Sequence, residues 1–116
     1  MGRATFRDVG TIPDEVCREF RGSAELVGRK WSAAILLALA RGAERFGEVQ
    51  HAVEGISARL LAVRLRELEG QHLVERTVVP TTPVEIRYTL TERGRELLVS
   101  LIPLIRWQQK WSPGTR

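Results

Sequence analysis

The stretch Gly47-Glu48-Val49-Gln50-His51-Ala52-Val53-Glu54-Gly55-Ile56-Ser57-Ala58-Arg59-Leu60-Leu61-Ala62-Val63-Arg64-Leu65-Arg66 decides the fold. Gly47 to Val53 suits a helix of about two turns. Glu54-Gly55-Ile56 is a short turn containing glycine, and Ser57 is a good N-cap for a second helix reaching Gly70 or Gln71. Two short helices joined by such a turn form a helix-turn-helix. Along the second helix the 3.6-residue period turns Leu61, Leu65 and Leu68 inward. Arg59, Ala62, Val63 and Arg66 then face outward. From Ile56 to Arg66 the chain carries three cations, Arg59, Arg64 and Arg66, and no acid, a pattern suited to a polyanion.

Beyond this pair, Leu73 to Val79 and Val84 to Leu90 read as strands. In the second, Val84, Ile86, Tyr88 and Leu90 alternate with Glu85, Arg87 and Thr89. Pro80-Thr81-Thr82-Pro83 lies between them, and proline cannot donate to a strand ladder, so both prolines belong in an exposed hairpin tip. A hairpin after a helix-turn-helix makes a winged helix. Thr91 is placed to cap a last helix, with Glu92 in its first turn and Leu97, Leu98, Leu101 and Ile105 as an apolar stripe. Pro103 interrupts that stripe and predicts a kink or break near Ile102. Trp107 and Trp111, four apart near the chain end, more plausibly cover a partner than fill a private core.

On the other side, Lys30 to Arg41 reads as a helix with Trp31, Ile35 and Leu39 on one face and Gly42 as its stop. An earlier helix starts near Pro13-Asp14-Glu15, carries Val16, Phe20, Ala24 and Val27 at helical spacing, and ends at Gly28, with Gly22 weakening its middle. Residues 1–12 read as a flexible arm, 13–112 as one domain and 113–116 as a tail. The predicted class is α+β and mostly helical, a winged helix-turn-helix with a two-stranded β-hairpin wing.

Composition is compatible with this. The chain has 116 residues, long enough for one core and short for two domains. Its net charge of +4 favours a polyanionic partner, and all its cations except Lys30 and Lys110 are arginine, the side chain suited to bidentate phosphate and guanine contacts. A genome rich in G and C produces the same bias, so position has to decide. The longest apolar stretch, Ala33 to Ala40, is too short to span a membrane, and Met1 to Phe6 lacks a signal-peptide core, so a cytoplasmic location without membrane contact is expected. The single cysteine, Cys17, forms no internal disulfide, and with only His51 and His72 beside it no metal or other cofactor is expected. No GxSxG, HExxH or phosphate-cradling glycine loop stands in the chain, which argues against an enzyme.

For base readout in a major groove the candidates are Ser57, Ala58, Arg59, Ala62 and Val63, at the N-terminal end of the reading helix. Arg59 suits guanine O6 and N7; Ala62 or Val63 suits a thymine methyl. Arg64, Arg66, Thr81, Thr82 and Arg87 are the candidates for phosphate, and Arg76 adds charge on the wing. The competing class is a winged-helix protein-interaction module that does not bind DNA.

Leu26-Val27-Gly28-Arg29-Lys30-Trp31-Ser32, Arg45-Phe46-Gly47-Glu48, Gly55-Ile56-Ser57, Arg64-Leu65-Arg66-Glu67-Leu68 and Tyr88-Thr89-Leu90-Thr91-Glu92-Arg93-Gly94 together resemble the HxlR family of bacterial winged-helix regulators, in unbroken order over residues 16–111. The resemblance implies a homodimer formed by the first and last helices, with two reading helices on an inverted-repeat operator of double-stranded DNA. Val16, Phe20, Leu101, Ile105, Trp107 and Trp111 are the interface residues it implies. Pro103 departs from the family pattern, and so does Arg87, where relatives often carry an acid. Many members have a cysteine about where Cys17 stands, and some are similar to sensors of oxidants, quinones or other electrophiles, which makes Cys17 a candidate sensor of such a small effector. Arg18 and Arg21 favour a thiolate there, while Asp14 and Glu15 oppose it. The alternative is a small buried hydrophobe flanking Val16 and Phe20.

Overall fold

Ser57 opens the central helix by accepting a hydrogen bond from the Leu60 N–H at 3.1 Å through its Oγ. In the computed structural model, which describes residues 12–112, this helix is α4 (Ala58–Gly70). The other elements are α1 (Asp14–Gly28), α2 (Ser32–Ala40), α3 (Phe46–Ala52), β1 (Val74–Val79), β2 (Glu85–Leu90) and α5 (Glu92–Trp111). Apart from Ile12, the predicted arm lies outside the described residues, as does the tail. The chain divides after Lys30 into two units.

In the second unit the three predicted leucines of α4 are buried with Ile35, Leu36 and Leu39 of α2, Val49 of α3, Val53, Ile56, Leu73, Val74 and Leu90. Full burial of each large apolar side chain stabilises by about 1.5–3 kcal/mol. α2 is apolar almost all round; its Ile35, Leu36, Ala38 and Leu39 are buried, while Ala33, Ala34, Leu37 and Ala40 are exposed. It begins one residue later than Trp31, which sits at the N-cap with φ of 82° and so lies outside the helix face predicted for it. The turn between α3 and α4 holds Gly55 at φ of 93°, a left-handed position that favours glycine. A Cβ there would lie 3.5 Å from the Trp31 ring.

β1 and β2 pair antiparallel, with Val74 opposite Leu90, Arg76 opposite Tyr88 and Val78 opposite Ile86 on one face. Glu75/Thr89, Thr77/Arg87 and Val79/Glu85 occupy the other. The free edge of β2 is covered by the link before α3, since the Tyr88 N–H donates to the Glu44 carbonyl at 2.7 Å.

Thr91 ties α5 to the start of the hairpin. Its Oγ1 donates to the His72 carbonyl at 2.7 Å and accepts from the Gly94 N–H at 3.0 Å, while its N–H donates to the Leu73 carbonyl at 3.1 Å. α5 then runs as one helix through Pro103 to Trp111, so of the kink or break expected near Ile102 the break is corrected. Pro103 has no N–H to give the Val99 carbonyl, and Val99 and Pro103 are both exposed, so the helix continues without burying that carbonyl unpaired. No helix among the described residues is long and apolar enough to cross a membrane.

The first unit contributes α1. Pro13 stands at its N-cap, Asp14 and Glu15 fill its first turn, and the Cys17 N–H donates to the Pro13 carbonyl at 3.1 Å. None of its residues is buried.

Candidate nucleic-acid interface

The outer face of α4 begins at its cap. Ser57, Ala58 and Arg59 are exposed, Ala62 and Val63 are half-buried, and Arg66 is exposed one turn further on. The Ser57 hydroxyl oxygen is already an acceptor for the helix, which leaves its hydrogen available to an outside acceptor.

The arginines around this face fall into two sets. Arg64 donates to Glu67 at 3.0 Å and its side chain is only 16% exposed. Arg87 donates to Glu44 at 2.9 Å and pairs with Glu85 at 3.3 Å, and Arg45 also pairs with Glu85. The hydrogen bond to Glu44 and the neighbouring Glu85 carboxylate raise the Arg87 pKa, so this guanidinium stays charged as the middle of a four-residue chain. That chain ties the outer face of the wing to the link before α3. Glu48 completes the corner: its Oε1 accepts from the Glu44 and Arg45 N–H groups at 3.0 and 3.1 Å, which holds its carboxyl below the usual range. By contrast, Arg59, Arg66 and Arg76 are exposed and make no ion pair among the described residues.

This sorting divides the phosphate candidates. Arg64 and Arg87 are engaged in struts. Thr81 also has its donors committed, its Oγ1 to the Pro83 carbonyl and its N–H to the Val79 carbonyl, each at 2.8 Å. Thr82 is exposed at the tip, and Arg66 keeps a guanidinium without an ion pair among the described residues. Sequence reasoning gave Arg76 only a general charge and Tyr88 only a strand face. Their shared rung was the available signal, because residues directly opposite in a ladder point the same way.

The candidate interface residues are uncovered in the single chain. On α5, Ile105, Trp107 and Trp111 are exposed, the two indoles at 58% and 66%, and Leu101 is half-buried, so the tryptophans fill no private core. Lys110 Nζ lies 5.5 Å from the Trp111 ring centroid. On α1, Val16, Cys17 and Phe20 are exposed.

The HxlR-like helix-turn-helix family matches residues 26–115, which takes in everything from α2 through α5. The chain belongs to the HxlR family. This is a family of helix-turn-helix transcriptional regulators, not of enzymes. Among HxlR-type relatives, the uncharacterized regulator YvaP of Bacillus subtilis (strain 168) is 37% identical over 97 residues, covering 84% of this chain and 90% of that protein. The HTH-type transcriptional regulator YodB of the same organism is 37% identical over 100 residues, covering 85% and 89%. The reduced form of YodB superposes on this chain with a TM-score of 0.73 at 34% identity, covering 88% of this chain and 96% of that one. Its quinone-bound form does so at 0.71 and 34%, covering 82% and 100%.

Proposed function

We propose that this HxlR-family chain is a homodimeric, sequence-specific repressor that binds double-stranded DNA in the cytoplasm at an inverted repeat, each α4 reading one half-site. The carrying observation is the outer face of α4, where Arg59 and Arg66 stand exposed and unpaired among the described residues with small side chains between them. An arginine near the N-terminus of such a helix suits a guanine in the major groove, and one further along suits phosphate. Half-sites then lie about one helical turn apart. Selection of bound fragments from a random duplex pool, followed by gel-shift titration, tests this. An inverted repeat should emerge, and Arg59→Ala should relax base preference while Arg66→Ala weakens all sequences alike. Recovery of no sequence above background would overturn the reading.

A second reading adds an input. Cys17 is exposed on α1, and the relative YodB has been solved in a quinone-bound form. Cys17 then answers oxidants or electrophiles by alkylation, by a mixed disulfide with a small thiol or by a bridge between two chains. Diamide or a quinone should release the selected duplex from the wild type and leave Cys17→Ser bound; equal release from both removes Cys17 as the sensor.

A further inference from the structure

Ala62, Leu65, Arg66 and Glu69 of α4 face Arg76 of β1 and Tyr88 of β2 across an open cleft of about 380 Å³. Two of its walls come from different elements, and each supplies a cation that makes no ion pair among the described residues. The Tyr88 side chain makes no hydrogen bond among them either, although its backbone N–H is held by Glu44. The opposite face of the same hairpin is different: there Glu85 and Arg87 are neutralised by Arg45 and Glu44. The hairpin thus keeps its uncompensated positive charge on the side turned towards the reading helix.

We propose that this cleft holds one backbone phosphate of the duplex, with Arg66 and Arg76 as its two cations and the Tyr88 hydroxyl as a neutral donor. The inference rests on the DNA-binding reading above and extends it to residues of the wing. Two guanidinium groups and a phenol form an arrangement of donors for a phosphodiester oxygen pair, and neither arginine has to break an ion pair to take part. Ala62 belongs both to the cleft wall and to the outer face of α4, so a phosphate seated there borders the base edges that α4 reaches. A phosphate bridging α4 and the wing fixes register without reading sequence. Glu69 is the opposing group in the cleft: its carboxylate weakens the local field and so limits how tightly the phosphate is held.

The test uses full-length protein and a mixed-sequence duplex of about 30 base pairs, titrated from roughly 50 to 200 mM salt. Arg76→Gln should lower the log–log salt slope by up to about 0.9, the value of one wholly lost phosphate contact, and weaken binding about fivefold while the preference for selected over mixed sequence stays unchanged. Glu69→Gln should do the reverse, tightening binding several-fold, a gain that misfolding does not produce. Tyr88→Phe should weaken binding about two- to fivefold at unchanged slope. In the selected duplex, a methylphosphonate at one position per half-site should weaken the wild type and weaken Arg76→Gln distinctly less, because only Arg66 and Tyr88 then remain to lose that phosphate. If the wild type binds and Arg59→Ala relaxes its preference, yet Arg76→Gln keeps the full slope and Glu69→Gln is no tighter, the cleft assignment is wrong and the reading of α4 stands. If the wild type binds no duplex at low salt, both are wrong.

Discussion

At Gly94 a Cβ would lie 2.1 Å from the Leu73 carbonyl oxygen and 3.1 Å from its carbon, so the first turn of α5 meets the start of the hairpin at a distance only glycine tolerates. Gly94→Ala should therefore lower stability by roughly 1–3 kcal/mol, read as a shift in denaturant midpoint, because backbone rather than a flexible side chain must move. An unchanged midpoint would show that the junction yields. Glu48 gives a prediction in pH. Two backbone donors depress its pKa, so its contribution is fully present above the unfolded value and disappears as pH falls through the folded one. Glu48→Gln should flatten stability in that acid window, measured by thermal melts against pH, and a wild-type acid limb in the variant would contradict it. These residues differ in how readable they are. Ser57, Thr91 and the buried leucines of α4 follow from local period and capping. Arg87 does not, since its partner Glu44 stands 43 positions away and only the folded edge of β2 brings them together.

Elements were legible where one force dominated. Every helix and both strands lie within a few residues of where period, caps and turn residues place them, and Trp31 leaves α2 because the chain adopts a left-handed residue before the helix starts. For α5, proline's local penalty predicts an interruption, and the exposed setting that lets the helix continue is a property of the folded chain. Pro103→Ala should stabilise the chain by up to about 3 kcal/mol by restoring a helical N–H. A fall in melting temperature instead would mean that the proline serves packing in the assembled protein. The wing offers a comparable test. Arg87→Gln removes the middle of the Glu44–Arg87–Glu85–Arg45 chain, and should speed amide exchange in β2 more than in α4. Uniform exchange rates would show that the strand ladder alone holds the hairpin.

For the whole molecule, the apolar surface left on α5 is large for a chain of this size, with Val99, Leu104, Ile105, Trp107 and Trp111 all exposed. In the homodimer proposed above, Trp107→Glu with Trp111→Glu should shift sedimentation from dimer to monomer and weaken duplex binding while helix content is retained. A dimer that survives both changes would place the interface elsewhere. The fold and the outward face of α4 were visible in one sequence because both depend on neighbours along the chain. The division of the arginines into free and engaged was not, because it depends on which acids the tertiary structure delivers to each.

One consequence of the Thr91–Gly94 junction concerns leverage. α5 has 20 residues and so extends about 30 Å from a fulcrum where it is bonded to the turn leading out of α4. Displacing its tryptophan end by about 3 Å swings the helix through roughly 6°, and the close fit at Gly94 leaves little slack to absorb that swing before it reaches the hairpin. Whatever grips the far end of this arm therefore bears on the angle between α5 and the pair formed by α4 and the hairpin.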